Sequence, residues 1–206
     1  MPYLRGTSKT LGLRPMGVST YSPSINYKLR ALERKIAKQA PAKETFLVNH
    51  NWTASAIYDV DHQRITNTFK SSSLYDEVVL GDRFVNHWLK FRVDGPSSCR
   101  KLRITVYYVK RPGQTFPDTA GSQSNFSRIP DPAYVTVLYD KTYIAGNDTS
   151  GIHASGLVNL KGWQSIVNRT TLDTIEKGDL AMSIQTECPS VSAVLQSSYQ
   201  LIFSNK

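Results

Sequence analysis

The sequence predicts an all-β domain of Greek-key or jelly-roll type with a basic N-terminal appendage, on three observations. Beyond residue 44, apolar positions recur with a period of two in runs rich in β-branched and aromatic residues. Scarcely any helical spacing follows residue 40. Positive charge is confined to one end: residues 1–43 hold nine Lys/Arg against Glu33 alone, a net +8, while residues 44–206 hold sixteen against fifteen acids, giving the total of +9.

The elements follow in order. Residues 1–23 are rich in Ser, Thr, Gly and Pro with few large apolar side chains, so they cannot repay the entropy of ordering and are expected to be a disordered basic arm. Ile25, Leu29, Leu32 and Ile36 then recur at helical steps, while Arg30, Arg34 and Lys38 line up four apart on another face. Ser22 can cap this helix with Pro23 in its first turn, and Pro41 ends it. The predicted organisation is an arm over 1–23, an amphipathic basic helix over 24–40, and a jelly-roll domain over 41–206. A seam so narrow either packs into the domain as core or leans on a surface with its cations turned outward, and the second arrangement suits the pattern better.

Thr45–Trp52, Phe84–Val93, Leu102–Val109 and Ala133–Tyr139 read as strands, followed by runs over 156–167, 180–188 and 193–203. Turn clusters such as Asp94-Gly95-Pro96 and Pro130-Asp131-Pro132 separate them. Seven or eight strands with two long connections, 53–83 and 110–132, suit crossing loops better than an up-and-down barrel. No repeat of 20 to 50 residues marks a propeller or solenoid.

Composition narrows the class. The chain has 206 residues, 40% hydrophobic and 20% charged, and a mean hydropathy of −0.34, which fits one domain plus a tail. No apolar run reaches the length of a membrane span, and the basic N-terminus has no apolar stretch behind it, so neither membrane insertion nor secretion is expected. Cys99 and Cys188 stand 89 residues apart without a CxxC, and the expectation is two reduced thiols. A cationic tail on a neutral body points to a polyanion, nucleic acid ahead of an anionic membrane surface or mere solubility, because it releases counterions from phosphates. The expected phosphate-binding residues are Arg5, Lys9, Arg14, Lys28, Arg30, Arg34, Lys35 and Lys38.

Catalytic signals are weak. His50, His62, His87 and His153 form no HxH or HExxH pair. Asp59-Val60-Asp61-His62 is the one local group of acid–base side chains and reads as a solvated acidic loop. Gly151–Gly156 has the glycines of a phosphate loop without its lysine. No catalytic residue, metal or cofactor is therefore expected. The tryptophans at 52, 88 and 163 could stack on bases if they fell on an open sheet, but core or interface positions are the more usual use.

The order of features carries a resemblance. A basic arm and a short cationic helix (YKLRALERKIAKQ) precede Pro41-Ala42-Lys43-Glu44-Thr45-Phe46; Gly81-Asp82-Arg83-Phe84-Val85 leads into LKFRV; then come LRITVYYV and VTVLYDKTYI at 135–144. This resembles the capsid proteins of small circular Rep-encoding single-stranded DNA viruses (CRESS DNA viruses) and the related satellite tobacco necrosis virus group. The resemblance implies a single eight-stranded antiparallel jelly roll of two four-stranded sheets, assembled with itself into a T=1 icosahedral shell of about 60 copies. It further implies an inward arm on a single-stranded genome, DNA in preference to RNA, and location in the virion and, during assembly, the host nucleus, with a host import receptor as a further partner. The alternatives are the coat protein of a satellite-type RNA virus and a non-viral nucleic-acid-binding β-domain.

Overall fold

The computed structural model describes Lys28, Arg30 and residues 42–79, 81–110, 115–116, 126–146, 151–168, 174–189 and 192–205. The chain divides into two compact units, Met1–Pro41 and Ala42–Lys206. In the second unit the elements run β1 (Lys43–Thr53), β2 (Tyr58–Arg64), α1 (Ile65–Lys70), α2 (Ser73–Val78), β3 (Arg83–Gly95), β4 (Lys101–Val109), β5 (Val135–Ile144), β6 (Ile152–Asn168), β7 (Thr174–Lys177), β8 (Asp179–Glu187) and β9 (Val194–Asn205).

Two antiparallel sheets form a sandwich, one ordered β1-β9-β3-β6-β7 and the other β2-β8-β4-β5. The first strand lies beside the last, and the second beside the second-last, so each chain half winds around the other as in a jelly roll. The count among the described residues is nine strands rather than eight. The ninth, β7, is a four-residue edge strand whose pairing with β6 shifts register between Ile166 and Val167.

Alternation explains the outer sheet strands. In β1, Phe46, Val48 and Trp52 pack on the core, while Thr45, Leu47, Asn49 and Asn51 are exposed. The facing layer is supplied by Leu102, Ile104, Val106 and Tyr108 of β4 and by Leu180, Met182 and Ile184 of β8. Strands β4 and β8 are buried on both faces for almost their full length, which matches the nearly unbroken apolar run LRITVYYV. Phe69 of α1 sits among the rings of Phe46, Tyr75, Phe84 and Phe203, with centroids 4.3–5.4 Å away, and closes one end of the sandwich. Buried rings in tilted and edge-to-face contact add to their area burial.

Three expectations are corrected. The cysteines are not free: Cys99 and Cys188 form a disulfide. The cause is register, since Lys101 pairs with Glu187 and the Arg100 N–H donates to the Glu187 carbonyl at 2.8 Å, leaving the residues just outside each strand end side by side. The acidic segment 59–62 is not a loop but the middle of β2, paired with Ile184, Gln185 and their neighbours on β8. The connection 53–83 is likewise not a plain loop, holding β2, α1 and α2.

Candidate assembly and nucleic-acid surfaces

Of the eight expected phosphate-binding residues, Lys28 and Arg30 are helical and exposed. Arg5, Lys9, Arg14, Arg34, Lys35 and Lys38 lie outside the described residues.

The histidines do not converge. His50 faces Asp61 across β1 and β2 at 3.4 Å, His87 bonds Ser204 Oγ at 2.8 Å, and His153 Nδ1 lies 2.6 Å from Asp94. His62 belongs to the opposite sheet, across from Ser183. Asp59 accepts from the Ser55 N–H and hydroxyl, both at 2.7 Å, so its carboxylate braces the turn into β2. Among the described residues no three of His, Cys, Asp and Glu gather as a cation site would require. Gly151 and Gly156 bound the first residues of β6. Gly151 has a φ of +89°, and an added Cβ would meet the Gly95 carbonyl at 2.4 Å, so its role is a tight turn.

The two sheet faces that point away from the core differ. On the β2-β8-β4-β5 sheet, Phe116 and residues 126–128 of the connection between β4 and β5 pack against the outer face. The Phe116 N–H donates to the Tyr107 hydroxyl at 3.1 Å, the Phe116 ring meets that of Tyr107 edge-on, and burial pushes the Tyr107 phenol up to about 12. Arg103 reaches from β4 to the carbonyls of Phe126 and Arg128. On the same face Gln185 and Ser183 are buried, and the side-chain amide of Gln185 and the hydroxyl of Ser183 have no hydrogen-bond partner among the described residues.

No described segment crosses the outer face of β1-β9-β3-β6. Lys43, Lys90 and Arg92 project from it, and its carboxylate, Asp94, is held by Arg92 at 2.7 Å and by His153. Burial pushes Asp94 upward, but the hydrogen bonds from His153 and Arg92 outweigh it and hold the carboxyl below its ordinary value. The tryptophans fall mostly into packing roles: Trp52 backs the core, and Trp163 stacks on Tyr108 at 4.5 Å. Large apolar side chains also reach the surface, among them Ile57, Ile144 and Val194, where β2 begins, β5 ends and β9 begins. Ile144 is 72% exposed.

No family model matches the chain, and no curated protein matches it. Among solved structures it is similar to the sacbrood virus of honeybee in expansion state I, with 13% identity and a TM-score of 0.44 over 83% of this chain and 94% of that one. It is similar to turnip yellow mosaic virus at 11% identity and a TM-score of 0.40, covering 81% and 82% respectively. The 60-mer BFDV capsid protein aligns at 7% identity and a TM-score of 0.40, covering 82% and 95%.

Proposed function

We propose that this chain is a viral coat protein that assembles with itself into a closed T=1 shell of about 60 copies and packages single-stranded nucleic acid, DNA in preference to RNA. The observation that carries this reading is the joining of a jelly-roll strand order to a charge split of +8 in residues 1–43 against +1 in the rest. A fold alone does not assign a function. A nearly neutral body meets little long-range repulsion when many copies pack together, while a cationic segment repeated in every copy multiplies weak phosphate contacts through avidity. The organisation proposed is a basic arm over 1–23, a cationic helix over 24–40 and the assembling domain over 41–206. The protein is structural and not an enzyme. Its place is the virion and, during assembly, the host nucleus, with the basic cluster read by an import receptor.

Electron microscopy of the purified full chain tests the reading, together with its mass in solution. Uniform closed particles of about 1.4 MDa, sixty times 23.1 kDa, are expected. A monomer or dimer at high concentration overturns the assembly. Nucleic acid extracted from particles formed in infected cells, digested separately with DNase and RNase, decides the genome type. Residues 1–43 fused to a fluorescent protein too large to diffuse through nuclear pores test import, and uniformly cytoplasmic fluorescence removes that role.

A further inference from the structure

The outer face of the β1-β9-β3-β6 sheet is built from alternate residues of four strands, which register in cross-strand rows. One row runs Leu47, Gln200, Lys90, Leu157; the next runs Asn49, Ser198, Arg92, Ser155. Beyond them Asn51, Gln196, Asp94 and His153 make a third row, and on the other side Trp88 pairs with Ile202 and Asn159. No carboxylate lies in the row of Lys90 or in either row beside it.

A groove of about 240 Å³ lies on this face, lined in part by Leu47, Lys90, Arg92, Ser198 and Gln200. Lys90 and Arg92 are both exposed and two residues apart on β3, so they point the same way about 6.8 Å apart along the strand. Leu47, 63% exposed, gives the groove an apolar flank, and Leu157, 60% exposed, stands beside Lys90 in the same row. Lys90, with no carboxylate in its own row or the rows beside it, Arg92, whose Nε is bonded to Asp94 at 2.7 Å and whose Nη groups are left for a phosphate, a hydroxyl, an amide and an apolar flank form one set of groups. Phosphate suits the ammonium and guanidinium, the sugar and base edges suit Ser198 and Gln200, and the leucines and the neighbouring Trp88 offer apolar surface to a base or ribose. An apolar or acidic occupant fits worse, because Lys90 would be buried without a counterion in the first case, and in the second the apolar flank would face charge.

We infer that this groove is a second binding site for the single-stranded phosphodiester chain, separate from the N-terminal segment, with Lys90 and Arg92 as its phosphate-binding residues. The inference rests on the packaging role proposed above. The basic segment is joined in sequence to β1, an edge strand of this same sheet, so a polymer held by that segment meets the weaker groove at a raised effective concentration.

The test uses the full chain and two fluorescent probes, an oligothymidine and an oligouridine, titrated across a range of salt concentrations. Replacing Lys90→Gln with Arg92→Gln removes two phosphate contacts and lowers the slope of log affinity against log salt by about 1.4, at roughly 0.7 per contact. Lys90→Arg keeps the slope. Loss with at least one probe is expected, and which one identifies the sugar. Photo-cross-linking of the same probes to the unsubstituted chain, followed by peptide mapping, gives an answer even if the double variant fails to fold: adducts are expected in the β3 and β9 peptides. An unchanged slope in the folded double variant, or adducts confined to residues 1–43, overturns the groove and leaves the coat-protein reading standing. Failure of the unsubstituted chain to bind either probe overturns the packaging role itself.

Discussion

Arg103 on β4 and Asp140 on β5 form a two-point ion pair, with Nε 2.7 Å from Oδ1 and Nη2 2.6 Å from Oδ2. The remaining guanidinium nitrogen, Nη1, donates to the main-chain carbonyls of Phe126 at 3.1 Å and Arg128 at 2.9 Å. The ring of Phe116 lies 5.6 Å from the same cation. One side chain, 7% exposed, thus joins two paired strands to the connection between them. A fork of this kind satisfies a planar carboxylate and carbonyls together, which an ammonium cannot do.

Arg103→Ala therefore strips a partly buried carboxylate and two carbonyls of their donor. A loss of about 2 to 4 kcal/mol is expected, somewhat below a fully buried pair because Asp140 retains contact with water. Arg103→Lys recovers only part of it. Chemical denaturation measures the loss, and limited proteolysis should show faster cutting near residues 126–134. Resistance equal to the unsubstituted protein would mean the segment is held by other contacts.

The Cys99–Cys188 disulfide closes a loop with a sequence separation of 89 residues, long enough to restrict the unfolded chain strongly. Cys99→Ala with Cys188→Ala should lower stability by about 2 to 4 kcal/mol. A reductant should destabilise the unsubstituted protein and leave the double variant unaffected. Thiol titration of the unreduced protein checks the bond directly: two reactive thiols on denaturation would rule it out.

His87 is held below its ordinary pKa by burial and by the nearby charge of Lys43. Its unfolded form binds a proton at higher pH than its folded form, so its contribution is complete above about pH 6.5 and is lost as pH falls through the folded value. The melting temperature should drop between pH 7 and pH 5, and His87→Gln should flatten that drop. Parallel pH profiles for the two proteins would assign the titration elsewhere.

Phe69 is fully buried and meets four rings. Phe69→Ala leaves a cavity between α1 and the sandwich, and a loss of about 3 to 5 kcal/mol is expected. Phe69→Leu should cost less, because part of the volume is kept. Calorimetry of the two variants separates volume from ring contacts.

For the N-terminal segment, substitution of Arg30, Arg34, Lys35 and Lys38 by Gln should lower the salt slope of oligonucleotide binding by about 2.8 to 3.6, at 0.7 to 0.9 per phosphate contact. Particle formation should persist, since the strands of the sandwich begin only at Lys43. A slope unchanged by all four substitutions would move the phosphate contacts into the body.

The fold was legible where period and turn chemistry agreed. The alternation of TFLVNHNW and the apolar run LRITVYYV correspond to β1 and β4, and the strand expected over Ala133–Tyr139 is β5, which starts at Val135 and runs on to Ile144. Strand β2 was missed because Asp59 and Asp61 break the usual composition of a strand. What makes it one is pairing with β8, whose backbone groups need a partner. The helices α1 and α2, six residues each, are too short for a helical period to show in sequence.

The sequence by itself determined two things about this protein: that residues beyond 44 would build sheets, through the period of their apolar side chains, and that positive charge would gather before them, since both are properties of local order along the chain. Only the tertiary structure decided which residues meet. Cys99 reaches Cys188 because β4 and β8 run antiparallel in one register. Lys90, Arg92, Ser198 and Gln200 share a groove because β3 lies beside β9. Strand neighbours in such a sandwich are set by long-range packing of two sheets around one core, and no spacing along the chain records that choice.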